Sequence, residues 1–163
     1  ERVGEAAQGV QVGPGALIAG GDLLRRHVGG RPGEHGNLPG ARACVEEAHA
    51  TGPTAVVSSG YRDDILETLR SAKLDKLFDA IVTGEDVLEP KPHPEPYLNA
   101  SRLLDAAPGD VLALEDSYAG VASAHAAGCM TVMVPDLLEA TETERGRALV
   151  VGSLDEVRGL LRA

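Results

Sequence analysis

The sequence predicts an α/β fold in which helices cover a parallel β-sheet. The first observation is that, from Leu38 onward, short apolar runs alternate regularly with segments of helical length. The second is the stretch 111–128, which is apolar, turns acidic at Glu115-Asp116 and continues as an Ala-rich run ending at Gly128. That order is typical of a buried strand followed by a helix. The third is composition: 43% of the 163 residues are hydrophobic but only 2% are aromatic, so small aliphatic side chains must build the core.

The individual elements are predicted from their apolar runs and from their end signals. A proline suits the first turn of a helix, as at Pro39 and Pro94, and a glycine suits the position after its end, as at Gly128. The predicted strands are 54–57, 80–83, 111–114, 131–134 and 148–151. The predicted helices are 39–50, 63–72, 94–105, 117–127 and 154–161. Strands that alternate with such helices form βαβ units, so the sheet is expected to be parallel.

The first 36 residues differ from the rest of the chain. They contain ten of the 20 glycines and show little helical or strand periodicity. Their one apolar run is 16–19, which is the only candidate for a strand there. We therefore predict a division into a Gly-rich segment, 1–36, and a core domain, 37–163.

The net charge limits the classes of binding partner, and the cysteines indicate the cellular environment. The formal net charge of −10 argues against nucleic acid or an anionic membrane as a partner. An anionic substrate would therefore need local positive charge from a metal ion, a lysine or a helix N-terminus. No apolar run is long enough to span a membrane, and no signal peptide is visible. Cys44 and Cys129 form no CxxC pair and are expected to be buried in a reducing, cytoplasmic environment.

Polar residues follow three of the predicted strands. Ser58-Ser59-Gly60 follows the strand 54–57, Lys91 lies in the proline-rich loop after 80–83, and Glu115-Asp116 follows 111–114. Each feature also has a simpler interpretation: a plain turn, a solvated lysine, and a helix cap by Asp116 or Ser117. Because the carboxyl ends of parallel strands share one edge of the sheet, we expect all three features to meet there.

Together these residues predict chemistry on a phosphoryl group. Ser58 supplies a hydroxyl donor, with backbone N–H groups of Ser59 and Gly60 beside it, and Lys91 supplies a compact positive charge. Carboxylates such as Glu115 and Asp116 are the hard oxygen ligands that Mg²⁺ prefers. A donor, a cation and a metal site suit phosphoryl transfer, in which catalysis is mostly positioning and charge neutralisation.

The chain from about residue 38 to residue 134 also resembles a known family. The segments VVSSG, KPHPEPY and LALEDSYAGVASAHAAG, with FDAIVTGEDV between the first two, resemble motifs two to four of the haloacid dehalogenase superfamily. The nearest branch contains phosphatases and sugar-phosphate mutases related to β-phosphoglucomutase. The resemblance implies a Rossmann-like sheet with helices on both faces, catalytic roles for Ser58 and Lys91, and Mg²⁺ at Glu115 and Asp116. It also implies a small phosphorylated metabolite as substrate, contacted at Ser59 and Gly60.

The chain departs from that family at the first motif. The family's nucleophile is the first Asp of a DxD motif after the first strand, its second Asp is the general acid/base, and a helical cap follows. No DxD occurs in this sequence. One interpretation, which we favour, is a truncated chain that has lost the first strand and most of the cap. In the other, residues 15–22 are a degenerate first strand, with Gly20 at the nucleophile position and Asp22 at that of the second Asp.

Two functions follow from this departure. The first is a Mg²⁺-dependent phosphatase, or a remnant of one, with a cap that is absent or reduced and with weak or no activity because the Asp nucleophile is missing. The second is a non-catalytic phosphate-binding or regulatory module that keeps the fold. The same residues are compatible with a phosphatase and with a mutase, and none predicts an oligomeric state.

Overall fold

The computed structural model describes residues 15–28 and 40–162, and its centre is a six-stranded sheet in the order β3-β2-β1-β4-β5-β6. Every neighbouring pair of strands is parallel. The strands are β1 (Ala16–Gly20), β2 (Thr54–Val57), β3 (Ala80–Val82), β4 (Val111–Glu115), β5 (Met130–Met133) and β6 (Leu149–Val150). This order places β1 and β4 side by side, and the chain continues from them toward opposite edges of the sheet.

Seven α-helices accompany the sheet in the described part of the chain. They are α1 (Gly21–Val28), α2 (Ala41–Thr51), α3 (Arg62–Ser71), α4 (Glu95–Leu103), α5 (Tyr118–Ala127), α6 (Glu142–Arg145) and α7 (Leu154–Arg162). Within residues 15–28 and 40–162, no helix is both long and apolar enough to cross a membrane. The predicted Rossmann-like α/β fold is confirmed, and each predicted strand and helix ends within two residues of the observed one.

The core has two halves, one on each face of the sheet. Alternate residues of β1 divide between them: Leu17 and Ala19 face one half, and Ala16 and Ile18 face the other. The first half packs against α1, α2, α3 and α7. The second packs against α4 and α5. Helices therefore cover both faces, and the carboxyl edge of the sheet is left to the loops.

The strand β1 corrects the interpretation that we favoured from the sequence. Ile18 pairs with Ala55 of β2 on one side and with Ala113 of β4 on the other, so β1 occupies the middle of the sheet. The first strand is therefore present in this chain. The sheet needs it, since without it β2 and β4 would leave backbone groups unpaired in the core. The sequence identified 16–19 only as a candidate, and it did not predict α1 or α6.

The predicted boundary between residues 36 and 37 stays a prediction. Within the segment 1–36, β1 belongs to the same sheet as the strands of the proposed core domain. Residues 1–14 and 29–36 lie outside the described residues. The expected absence or reduction of a cap concerns the connection between α1 and α2, which also lies outside them.

Candidate active site

The predicted site residues meet at the carboxyl edge of the sheet, around the junction of β1 and β4. Ser58 follows β2, Glu115 ends β4 and Asp116 follows it, while Lys91 reaches the edge from the loop after β3. In open α/β sheets, ligands bind at the edge where the strand order reverses, and here that point lies between β1 and β4. The expectation that these residues share one edge is met by the topology.

Glu115 is a carboxylate with no exposed surface. Its Oε1 accepts hydrogen bonds from Lys91 Nζ at 2.5 Å and from the Tyr97 hydroxyl at 2.6 Å. Its Oε2 lies 3.5 Å from Ser117 Oγ. A buried carboxylate is stable only when its charge is paired and hydrogen-bonded, and here both conditions are met at a single oxygen.

Lys91 is held in place and is not a solvated surface lysine. Its side chain is 7% exposed. Besides the bond to Glu115, its ammonium donates to the carbonyl oxygen of Val57 at 3.2 Å, and it lies 5.5 Å from the centre of the Tyr97 ring. An ammonium has three hydrogens, so these two hydrogen bonds leave one for a further acceptor such as a phosphate oxygen.

Tyr97 is a site residue that the sequence did not reveal. It lies on α4 and is fully buried. Burial, and the negative charge of Glu115 beside it, raise the pKa of the Tyr97 hydroxyl well above its ordinary value. The hydroxyl is therefore a hydrogen-bond donor at all ordinary pH values. The one available signal was its position at the end of KPHPEPY, the segment that contains Lys91.

Two glycines form a cradle for the Glu115 carboxylate. A Cβ atom added to Gly20, the last residue of β1, would lie 2.6 Å from the Glu115 carboxyl carbon, and one added to Gly120 of α5 would lie closer still. Real Cβ atoms do not make such approaches, so the carboxylate occupies space that side chains at these two positions would need. Gly21 has the same relation to the side chain of Ser58.

The Ser58-Ser59-Gly60 turn is organised around the serine hydroxyl. Ser58 is buried, and its Oγ accepts a hydrogen bond of 3.1 Å from the backbone N–H of Gly60. Because a hydroxyl both accepts and donates, Ser58 keeps a hydrogen to donate. The N–H of Gly60, which we expected to face a substrate, is directed at Ser58 instead. Ser59 is exposed at the edge of the sheet.

The sequence offered Asp116 or Ser117 as a helix cap and Asp116 as a metal ligand, and the structure assigns the cap to Ser117. Ser117 is the N-cap of α5, and its Oγ accepts a hydrogen bond of 3.1 Å from the Gly120 N–H. Asp116 is only 1% exposed, at the carboxyl end of β4. The capping interpretation is thus confirmed for Ser117, and Asp116 lies beside Glu115 at the buried edge.

The donor atoms at this edge are compatible with Mg²⁺. Within residues 15–28 and 40–162, no three His, Cys, Asp or Glu side chains cluster as a ready metal site. Mg²⁺ needs fewer protein ligands than that, since it keeps several waters and binds one or two carboxylates together with substrate phosphates. Glu115 Oε2 and Asp116 supply oxygens of this kind, because Lys91 and Tyr97 both bind the other oxygen of Glu115.

Position 20, after which the chain enters α1, has no side chain for covalent chemistry. Gly20 ends β1 and Gly21 begins α1. Asp22, the nearest carboxylate along the chain, forms an ion pair with Arg25 one helical turn later, and both side chains are substantially exposed. Among residues 20–22, only Asp22 has a side chain that can act as an acid or a base, and it lies in the first turn of α1.

The sequence matches one hydrolase family model and is similar to curated proteins over part of its length. The model of the haloacid dehalogenase-like hydrolase family matches residues 33–134. Protein CbbY of Rhodobacter capsulatus is 36% identical over 107 residues, which cover 63% of this chain and 47% of that protein. Pyrophosphatase PpaX of Bacillus mycoides is 39% identical over 79 residues, covering 48% of this chain and 37% of that enzyme. The chain thus matches about half or less of the length of these curated relatives.

Solved structures share the same architecture. A Thermotoga maritima protein assigned as a β-phosphoglucomutase superposes with a TM-score of 0.70 at 30% identity, over 77% of this chain and 59% of that one. CbbY from Rhodobacter sphaeroides, solved in complex with phosphate, superposes with a TM-score of 0.72 at 19% identity, over 91% of this chain and 99% of that one. The second similarity, at its low identity, concerns the fold alone.

Proposed function

Because the chain belongs to the haloacid dehalogenase-like hydrolase family, we propose that its site binds the phosphoryl group of a small phosphorylated metabolite together with Mg²⁺. Lys91 binds a phosphate oxygen through its remaining ammonium hydrogen, and Ser58 donates its hydroxyl to another. Ser59 and Gly60 line the same turn. The observation on which this proposal rests is a buried ammonium at the strand-order reversal, beside two buried carboxylates.

Glu115 Oε2 and Asp116 are the groups that would hold Mg²⁺. The ion would neutralise phosphate charge, which the acidic chain cannot do with Lys91 alone. Lys91 orients the Glu115 carboxylate through its hydrogen bond to Oε1, and the buried edge limits the access of water. These residues therefore bind and orient a phosphoryl group, and in the cytoplasmic environment that the cysteines favour, Mg²⁺ is available to them.

We further propose that this chain hydrolyses phosphate monoesters weakly or not at all. The family resemblance assigns the nucleophile to an Asp at the end of the first strand, and Gly20 is the residue at that point here. Without a nucleophilic carboxylate, no covalent phosphoryl intermediate forms. A side chain at position 20 would also need the space of the Glu115 carboxylate. These observations favour the alternative function as well, a module that binds phosphate without catalysis.

Calorimetric titration with inorganic phosphate, with and without Mg²⁺, tests the binding proposal. We expect Lys91→Ala to weaken phosphate binding by about tenfold, the effect of losing one charged hydrogen bond. Ser58→Ala is expected to weaken it less, and it serves as a second variant if Lys91→Ala does not fold. Asp116→Ala removes one of the two groups that would hold Mg²⁺, and Asp110→Ala is its matched control, because Asp110 lies at the opposite end of β4. A wild-type chain that binds no phosphate would contradict the proposal.

Hydrolysis of p-nitrophenyl phosphate tests the expected lack of activity. Circular dichroism first establishes that each variant is folded. We expect no Mg²⁺-dependent turnover above buffer from the wild-type chain. Turnover that Asp116→Ala abolishes and Asp110→Ala preserves would refute the proposed inactivity, and it would direct attention to Asp22 as an unrecognised catalytic carboxylate.

A further inference from the structure

Tyr97 contacts both charged partners of the buried ion pair. Its hydroxyl donates to Glu115 Oε1 at 2.6 Å, and the centre of its ring lies 5.5 Å from the Lys91 ammonium. Among the three tyrosines of the chain it alone is fully buried, since Tyr61 and Tyr118 are exposed. A single side chain of α4 therefore contacts an acidic group at the end of β4 and a basic group in the loop after β3.

The two oxygens of Glu115 have different surroundings. Lys91 and Tyr97 both donate to Oε1, whereas Oε2 has the Ser117 hydroxyl near it, at 3.5 Å. Both oxygens lie in the glycine cradle, since a Cβ atom on Gly20 would lie 2.6 Å from Oε2 and 2.7 Å from Oε1. The two close donors at Oε1 therefore select the orientation of the carboxylate, and the glycines leave room for both of its oxygens. In that orientation, neither Lys91 nor Tyr97 uses the lone pairs of Oε2.

We propose that Tyr97 is a positioning residue: its hydroxyl pins Glu115 Oε1, so that Oε2 stays available to Mg²⁺, and its ring supports the Lys91 ammonium. The inference extends the proposed function to a residue that does not itself touch metal or phosphate. Partners of this kind orient metal ligands, and losing one typically weakens metal affinity by about 10- to 100-fold.

The position of Tyr97 makes its hydroxyl a rigid donor. The ring is packed in the half of the core formed with α4 and α5, beside residues such as Val82 and Ala100. Interiors are densely packed, so the ring cannot turn its hydroxyl away without opening a cavity. Tyr97→Phe therefore removes the hydrogen bond while it keeps the ring that lies against Lys91.

The first test uses the ammonium signal of Lys91 and needs neither metal nor substrate. The chain has three lysines, and Lys73 and Lys76 are exposed. In ¹⁵N-lysine-labelled protein, only the buried Lys91 ammonium should exchange slowly enough with water to give a resolved signal. We expect Tyr97→Phe to shift or broaden this signal, because Glu115 loses its second donor and the pair loosens. Tyr118→Phe, which removes a hydroxyl bonded to the Glu139 carbonyl, should leave it unchanged.

The second test measures Mg²⁺ affinity by calorimetry on the same three proteins. We expect Tyr97→Phe to weaken Mg²⁺ binding by about tenfold and Tyr118→Phe to leave it unchanged. In a Glu115→Gln background the additional effect of Tyr97→Phe should largely disappear, because Tyr97 acts through the carboxylate. A purely structural tyrosine would lower the thermal stability and change neither readout.

The outcomes separate this inference from the proposed function. If Tyr97→Phe leaves both the Lys91 signal and the Mg²⁺ affinity at the wild-type values, the positioning role is refuted. If the wild-type chain binds no Mg²⁺, the proposed metal site is refuted, and an unchanged Lys91 signal in Tyr97→Phe then refutes the positioning of the ion pair too. A shifted signal without Mg²⁺ binding upholds the positioning of the ion pair and rejects its use for a metal.

Discussion

At the scale of single residues, the site depends on one buried charge and on the donors that stabilise it. Glu115 is enclosed by Lys91, Tyr97 and two glycines, so its negative charge has little contact with water. Such a pair adds little stability over an apolar equivalent, but removing one partner leaves an uncompensated charge in the interior. Replacing Lys91 should therefore strongly lower the stability of the folded chain.

Lys91→Met should lower the free energy of unfolding by about 3–5 kcal/mol, because it leaves the Glu115 carboxylate buried without its cation. The double variant Lys91→Met/Glu115→Gln should recover most of that loss, since a neutral amide can still accept from Tyr97. Urea denaturation followed by circular dichroism measures both. Arg25→Met, which breaks the exposed pair with Asp22, is the control and should change stability by less than about 1 kcal/mol. Equal losses in the single and double variants would contradict this account.

At the scale of elements, the junction of β4 and α5 combines the site with the start of a helix. β4 ends in Glu115, Asp116 follows, and Ser117 caps α5 through the Gly120 N–H. The helix closes at Gly128, whose φ of 89° lies in the left-handed region where glycine costs least. The Ser117 cap thus fixes where α5 begins, directly after the two carboxylates at the end of β4.

Ser117→Ala should lower the free energy of unfolding by about 1 kcal/mol, because the first turn of α5 loses its side-chain acceptor. Ser117→Asn should retain most of that stability, since an amide oxygen can cap the same N–H. Thermal and urea unfolding give the comparison. Ser71→Ala, at an exposed serine in the last turn of α3, is the control and is expected to have little effect. A loss as large for Ser117→Asn as for Ser117→Ala would contradict the capping role.

At the scale of the whole molecule, β1 connects the two halves of the sheet. It pairs with β2 on one side and β4 on the other, and all five of its residues are buried. The candidate site residues Ser58, Lys91 and Glu115 end or follow strands that lie on one side or the other of β1. The geometry of the candidate site therefore depends on a strand that itself contributes none of the candidate side chains.

Ile18→Ala should lower the free energy of unfolding by about 2–5 kcal/mol, because a fully buried side chain in the central strand is replaced by a cavity. Leu149→Ala, in the edge strand β6, should cost less, since Leu149 is only partly buried. Urea denaturation midpoints, read at equal m-values, compare the two variants. If Ile18→Ala cost no more than Leu149→Ala, β1 would not be the central strand in solution.

The sequence by itself determined most of the elements and the edge at which the candidate site residues meet. The strand 54–57 and the helix that ends before Gly128 follow from local patterns, because apolar runs, prolines and glycines act within a few residues. Ser58, Lys91 and Glu115 could be assigned to one edge because parallel strands all end on the same side. The absence of a DxD motif could also be read directly.

Only the tertiary structure showed the pairing of β1, the close approach of Glu115 to Gly20 and the direction of the Tyr97 hydroxyl. The segment 16–20 is short and flanked by glycines. It forms a strand because β2 and β4, which are distant in sequence, supply its backbone hydrogen-bond partners. The roles of Gly20 and Gly120 depend on the direction of a Glu115 side chain that only packing sets. The sequence contains Tyr97 only as the last residue of KPHPEPY, and folding alone directs its hydroxyl at one carboxylate oxygen. Contacts between residues distant in sequence leave no local pattern, so the fold could be predicted more completely than the arrangement of the site.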